Sequence, residues 1–267
     1  LGVSDEFPTN HDQFTQYWSD HVNGHTPCCT SLKFAHLNTV NSTWNSPELQ
    51  EKLCNRALTA SNTSTNSAIT DTIVVTHSMG NLMFAGALAT GKCSLDASST
   101  WVGMAGPMKG SKCSDFVQDS CAGKTNMVWE KIGSITGRCP ANIGLKSLAY
   151  EGGNYSTPEM NAAYAAAQQV YRTKVSALMC SKSSQGLTSK YQAQFWALGS
   201  LVPHKGPNDG MVSFESCAAG LPASKFGDNY RDPFYVTKLN HYDMQFRGGD
   251  SVMDEQKMPV KWFECLL

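Results

Sequence analysis

The sequence predicts an α/β protein: a mostly parallel central sheet flanked by helices. Three observations lead there. Short apolar runs near 72–76, 101–105 and 234–239 alternate with helix-patterned segments at 47–60, 80–88 and from 157 onward. The run Thr72-Ile73-Val74-Val75-Thr76 is β-branched throughout, which suits a strand buried on both faces. The chain's 267 residues, 41% of them hydrophobic, contain no repeat, low-complexity tract or linker, so 1–267 reads as one domain with a sizeable core.

Taken in order, residues 12–21 pattern as a short helix, with Phe14, Tyr17 and Trp18 at helical spacing, and 32–37 reads as a strand. Ser46-Pro47-Glu48 starts a helix with a capping hydroxyl, a proline in the first turn and an acid near the positive end. That helix carries Leu49, Leu53 and Leu58 and runs to about residue 60. After a Ser/Thr/Asn-rich loop come the 72–76 strand, a helix of small apolar residues at 80–88 and a strand at 101–105. The stretch 106–154 is long, cysteine-bearing and weakly patterned, a candidate cap or lid insertion, and 142–154 within it is irregular. Thr157-Pro158-Glu159 opens a long amphipathic helix whose stripe holds Met160, Ala163, Tyr164, Ala167, Val170, Tyr171, Val175 and Leu178. Such a stripe packs a core more often than it lines a channel. Runs at 195–201 and 234–239 read as the last strands.

Composition excludes several functions. With 21 Lys+Arg against 22 Asp+Glu there is no basic footprint for nucleic acid. No run approaches the ~18 apolar residues of a membrane span. Ten cysteines spread over the chain, with sequons at Asn41-Ser42-Thr43, Asn62-Thr63-Ser64 and Asn154-Tyr155-Ser156, predict an exported, disulfide-stapled glycoprotein. Cys113–Cys121 is the expected short loop. Leu1-Gly2-Val3 leads into a polar run with no visible signal peptide, so if the protein is exported, a processed or trimmed chain is expected. His21 and His25 precede Cys28-Cys29 in a spacing that invites zinc, but Gly24 and Pro27 make this a loop and no Cys-x-x-Cys pair exists. Neither a metal nor a cofactor is expected.

The chemistry concentrates at Thr76-His77-Ser78-Met79-Gly80, between the β-branched strand and the small-residue helix. A serine hydroxyl becomes a useful nucleophile when it is exposed, rigidly held and beside a base. A sharp strand-to-helix turn supplies the first two conditions, and small neighbours such as Gly80 let strand and helix pack closely there. Thr76 meets that need less well. The turn also aims the Met79 N–H at a developing oxyanion. The plainer alternative is that Ser78 merely caps the helix.

Downstream of Ser78 the histidines are His204 and His241. His241 follows the 234–239 run in an Asn240-His241-Tyr242 turn, where a late strand's carboxyl end meets an α/β site, whereas His204 sits in a surface loop. Asp209, in Pro207-Asn208-Asp209-Gly210-Met211-Val212, is the preferred acid, although Asn-Asp-Gly is also ordinary turn chemistry. Asp228, Asp232 and Glu215 stand behind it.

Together these residues resemble the α/β-hydrolase superfamily and, within it, secreted lipases and esterases. His-Ser-Met-Gly is similar to the family's nucleophile elbow, Asp209-Gly210-Met211-Val212 to its Asp-Gly-apolar-Val segment, and Asn240-His241-Tyr242-Asp243 to the lipase Asn-His-x-Asp segment. Ala105-Gly106-Pro107 resembles the loop after the next strand. The order Ser…Asp…His is the family's own. The resemblance implies an α/β-hydrolase fold with a cap, a secreted carboxylic ester hydrolase with Ser78, Asp209 and His241 as its triad, and a small-molecule or lipid ester as substrate. It implies an oxyanion hole from Met79 and from Leu1 or Gly2. The same triad would serve an acyltransferase or thioesterase, and the fold also accommodates a catalytically idle binding protein.

Two features depart from the family. Its His-Gly pair before the first helix is absent, and Leu1-Gly2-Val3 looks like what would follow it. Residues 1–3 are therefore expected beside Ser78, with a strand just upstream. Where some lipases bind calcium, this sequence has Asp243 and Arg247, and a cation is a poor calcium partner.

Overall fold

A computed structural model describes Glu6, Trp18, His21, Val22, residues 24–125 and residues 139–267. In chain order the helices are α1 (Pro47–Leu58), α2 (Met79–Ala89), α3 (Lys112–Cys121), α4 (Ile143–Lys146), α5 (Pro158–Lys174), α6 (Gln192–Leu201), α7 (Phe214–Ala218) and α8 (Pro259–Glu264). The strands are β1 (Ala68–Ile69), β2 (Ile73–His77), β3 (Ser94–Leu95), β4 (Thr100–Met104), β5 (Ala177–Ser181) and β6 (Phe234–Thr237). β2, β4, β5 and β6 form one parallel sheet in that order, and β1 and β3 pair separately.

The inner strands β4 and β5 are buried on both faces because their residues alternate between two cores, whereas β2 is mostly half-buried. Trp101 of β4 and Leu178 and Cys180 of β5 face the layer that holds α1, α2 and α5. Val102, Met104, Ala177, Met179 and Tyr235 face the opposite layer, with Trp262 and Phe263 of α8. α2 is apolar almost all round, so it sits against β2 on one side and α1 and α5 on the others. Trp101 anchors this contact, its ring edge-on to Phe84 at 5.0 Å and to Tyr171 at 5.3 Å.

Helix starts follow their sequence signals. Ser46 accepts the Leu49 N–H before Pro47, and Thr157 accepts the Met160 N–H before Pro158. The stripe on α5 is core: Tyr164, Ala167 and Tyr171 are buried, and Tyr164 packs 5.1 Å from Trp44. The helix stops at Lys174, so Leu178 belongs to β5.

Three other expectations need correction. Residues 195–201 lie in α6, not in a strand, and Phe195 and Leu198 are buried at helical spacing while Trp196 is exposed. An apolar run that short is compatible with either period. Residues 32–37 form no strand, since only Phe34 makes an isolated bridge, and their apolar residues keep no period of two. Cys113 and Cys121 do not pair. They sit near opposite ends of α3, where a rise of ~1.5 Å per residue separates them by roughly 12 Å, beyond a disulfide's reach. The pairs are Cys54–Cys93, Cys121–Cys139 and Cys180–Cys217, and Cys28, Cys29, Cys113 and Cys265 are free thiols. The 142–154 stretch is irregular apart from α4. The expected helix at 12–21 lies outside the described residues except at Trp18 and His21, as does 126–138 of the candidate lid.

Candidate active site

β2 ends at His77, and the chain reverses into α2 through Ser78, whose φ of 55° and ψ of −129° are unusual for a side chain with a Cβ. Ser78 occupies the capping position, yet its hydroxyl makes no capping bond. Its Oγ lies 2.9 Å from His241 Nε2. The plain cap reading of this serine therefore does not hold.

A buried polar network holds the turn. Trp101 Nε1–H donates to Thr76 Oγ1 at 2.7 Å, and the Thr76 hydroxyl donates to Asn81 Oδ1 at 2.8 Å. The Asn81 amide faces the carbonyls of Met104 (2.9 Å), Ser78 (3.1 Å) and Thr76 (3.3 Å). All three side chains of this network are buried. Close packing here depends less on Gly80 than expected, because a Cβ there would meet Thr76 at an ordinary 3.7 Å. The tight approach is across to β4, where a Cβ on Gly103 would stand 2.8 Å from Asn81 Oδ1.

His241 lies in the turn after β6. Its Nδ1 is 2.8 Å from Asp209 Oδ2, and both side chains are buried. A carboxylate accepts, so Nδ1 carries the proton and Nε2 is free to accept the Ser78 hydroxyl. Asp209 also serves its own turn: Oδ1 accepts the N–H groups of Met211 (2.8 Å) and Val212 (2.7 Å). The backbone adds a link, with His241 N–H donating to Asp209 O at 3.0 Å. One carboxylate thus performs both the turn chemistry and the histidine contact that the sequence left in competition. The outcome is a continuous hydrogen-bonded chain, Ser78–His241–Asp209. Arranged this way, the three groups can draw a proton from a hydroxyl and hold the resulting imidazolium.

The runners-up stand elsewhere. Glu215 pairs with Lys109 at 2.8 Å, and Asp232 accepts the Asn229 N–H at 3.0 Å. Asp228 makes no bond to His241, whose Nδ1 partner is Asp209. His204 sits beside the Asp209 turn, its Nε2 3.3 Å from Gly210 O, and burial pushes its imidazole below the usual range. Met79, the first residue of α2, has the orphan N–H of a helix start. Leu1 and Gly2, expected as further oxyanion donors, lie outside the described residues.

Asp243 is buried; its Oδ2 accepts Leu187 N–H and the Asn240 amide, each at 2.7 Å, and burial pushes its carboxyl up to about 6. Arg247 stacks on Tyr242 at 4.8 Å and donates to Tyr191 at 3.1 Å. Among the described residues no three His, Cys, Asp or Glu side chains gather as a metal site. Sequence reasoning assigned no role to Asn81 or to Gln245, whose side-chain amide lies 2.9 Å from His77 Nδ1, and missed the contact of Phe195 with His241, whose rings lie 6.4 Å apart. Asn81 follows the Ser78 motif directly and was the most findable of the three.

No family model and no curated protein matches the sequence. Among solved structures, the mature lipase BlEst2 of Bacillus licheniformis aligns with a TM-score of 0.54 at 13% identity, over 92% of this chain and 91% of that one. The lipase of Staphylococcus hyicus aligns at a TM-score of 0.33 and 13% identity, over 71% and 66% of the two chains. Lipase 1 of Pelosinus fermentans gives 0.35 and 13%, over 77% and 72%. At such identity the Bacillus likeness speaks for fold alone: this chain shares a mixed α/β architecture with that lipase, which fits the α/β-hydrolase fold.

Proposed function

We propose that this protein is an extracellular serine carboxylic ester hydrolase that works through an acyl-enzyme on Ser78. The observation that carries the reading is the bond chain at Ser78, with Oγ 2.9 Å from His241 Nε2 and Nδ1 2.8 Å from Asp209. The positive φ of Ser78 and its lack of a capping bond support it, because they leave the hydroxyl to His241 rather than to the helix start. So does the likeness to a lipase fold.

In this reading Ser78 Oγ attacks the ester carbonyl as His241 Nε2 takes the hydroxyl proton. The buried Asp209 carboxylate holds the ring in its Nδ1–H tautomer and stabilises the imidazolium. The oxyanion is received by the Met79 N–H and by a second donor assigned to Leu1 or Gly2. His241 then protonates the departing alcohol, and a water deprotonated by the same ring cleaves the acyl-enzyme. Three disulfides and the exposed sequon residues Asn41, Asn62 and Asn154 support an extracellular glycoprotein. No helix of the described residues is long and apolar enough to cross a membrane.

The test is fluorophosphonate labelling followed by p-nitrophenyl esters of graded chain length. The native protein should be labelled at Ser78 and hydrolyse at least one ester, and Ser78→Ala should do neither. A folded protein that is not labelled, or an active Ser78→Ala variant, overturns the proposal.

A further inference from the structure

His77 immediately precedes the proposed nucleophile and, as the residue after Thr76 in β2, belongs to the other face of the strand. Its Nε2 lies 2.9 Å from the backbone carbonyl of His241. Its Nδ1 lies 2.9 Å from the Gln245 side-chain amide nitrogen. These partners decide the ring's state. A carbonyl only accepts, so Nε2 carries the proton, and Nδ1 then accepts from the Gln245 amide. The ring also packs against His241 with centroids 4.7 Å apart, and Trp18 stands edge-on to it at 6.5 Å. Burial, then the neighbouring His241, push its imidazole well below the usual histidine range, so the ring stays neutral in this arrangement.

The turn that carries His241 has other fastenings, but they lead elsewhere. Asn240 Oδ1 accepts the N–H groups of Tyr242 and Asp243, both at 3.0 Å, which shapes the turn from within. The His241 N–H bond to Asp209 ties it to the acid. The His77 bond instead joins the base's turn to the nucleophile's own dipeptide. A shift of the 240–246 segment would lengthen the contact between Ser78 Oγ and His241 Nε2, and misplacement of a reacting group by ~1 Å costs about 100-fold in rate.

We propose that His77 is a positioning residue, which holds the His241 turn in register with Ser78 through its Nε2–H bond to the His241 carbonyl while Gln245 fixes its tautomer. This rests on the assignment of Ser78 and His241 made above. Its function is to maintain alignment, and the ring neither touches substrate nor exchanges a proton.

The experiment compares His77→Phe, which keeps a ring of similar shape but loses the donor, with His77→Gln, whose amide nitrogen lies the same number of bonds from Cα. Each is assayed on the p-nitrophenyl ester that the native protein cleaves, for kcat and KM separately, and for the rate of fluorophosphonate labelling. His77→Phe should lose about 10- to 100-fold in kcat and in labelling rate, with KM within about twofold. His77→Gln should recover kcat to within about threefold of the native protein, a rescue that a simple packing role would not produce. Should His77→Phe fail to fold, Gln245→Met serves instead, and its kcat should fall at least about threefold at unchanged KM. Native kcat in the folded Phe variant, or in Gln245→Met where the Phe variant does not fold, overturns the proposal, as does a Gln variant no faster than Phe. If the native protein is itself neither labelled nor active, the ester hydrolase reading has failed, and His77 is no positioning residue for it.

Discussion

The network under Ser78 makes a quantitative prediction at Thr76. Replacing Thr76 with Val keeps the β-branched shape that the end of β2 requires and exchanges a hydroxyl for a methyl. That hydroxyl accepts from Trp101 Nε1 at 2.7 Å and donates to Asn81 Oδ1 at 2.8 Å. Thr76 is 5% exposed, and Asn81 and Trp101 are 0% exposed, so water cannot replace either bond. The substitution leaves one buried donor and one buried acceptor unsatisfied, at about 1–3 kcal/mol each, with the added apolar methyl offsetting up to about 1 kcal/mol. The expected loss is about 1–6 kcal/mol. Urea unfolding should show a lower midpoint with an unchanged slope. Thr76→Ser keeps the hydroxyl and loses only a methyl, so it should cost less than Val despite being the smaller residue. Because the Asn81 amide also holds the carbonyls of Ser78 and Met104, the Val variant should be labelled more slowly by fluorophosphonate. A Val variant within about 0.5 kcal/mol of the native protein, or one more stable than Thr76→Ser, would refute this account of the turn.

Other perturbations reach different parts of the molecule. Asp209→Asn should lower kcat by on the order of 10⁴ by releasing the His241 tautomer, and a loss under about tenfold in ester turnover would assign the acid's role elsewhere. Removing Cys180–Cys217, whose cysteines are 37 positions apart and join β5 to α7, should cost about 4 kcal/mol by chain entropy; a change under about 1 kcal/mol in urea would contradict that model. Asp243, pushed up to about 6 from 3.8, binds its proton more tightly in the folded chain than in the unfolded one. Its contribution is therefore full below about pH 4 and is lost as pH rises to about 6. Asp243→Asn should flatten the fall in stability across that window by roughly 2–3 kcal/mol, and parallel stability–pH curves for the two proteins would exclude the effect.

Elements whose signals are local were legible in the sequence. Ser46-Pro47 and Thr157-Pro158 announce α1 and α5 because a cap and a proline act within one turn. β2 was readable from its β-branched run, although only Thr76 of that run is buried and Ile73, Val74 and Val75 are half-buried, and the turns that carry Ser78, Asp209 and His241 were readable because each has its own turn chemistry. What failed depended on contacts distant in sequence. Residues 195–201 carry an apolar run that suits either period, and in the folded chain Phe195 and Leu198 are buried together on one helical face, with Phe195 against His241 and Tyr242. β5 was hidden because Val175 and Leu178 continue the α5 stripe in phase, although the chain leaves the helix at Lys174.

The candidate site shows the same division at finer scale. The sequence singles out the three turns that carry Ser78, Asp209 and His241, but says little about what keeps them in register to a fraction of an ångström. Asp209 does so with two oxygens, one holding its own turn and one reaching His241. Asn81 does so from beneath Ser78, using an amide where a smaller residue would leave the Ser78 and Met104 carbonyls without that donor. These supports are polar and buried, so each is held only while its partners are in place, and loss of one strands the next. The rigidity of the Ser78 turn therefore depends on Trp101, a residue in the adjacent strand that makes no direct bond to Ser78 in this network. Double-mutant cycles between Trp101 and Thr76 should accordingly show strong coupling in labelling rate, whereas Trp101 and Asp209, which share no hydrogen bond, should act additively.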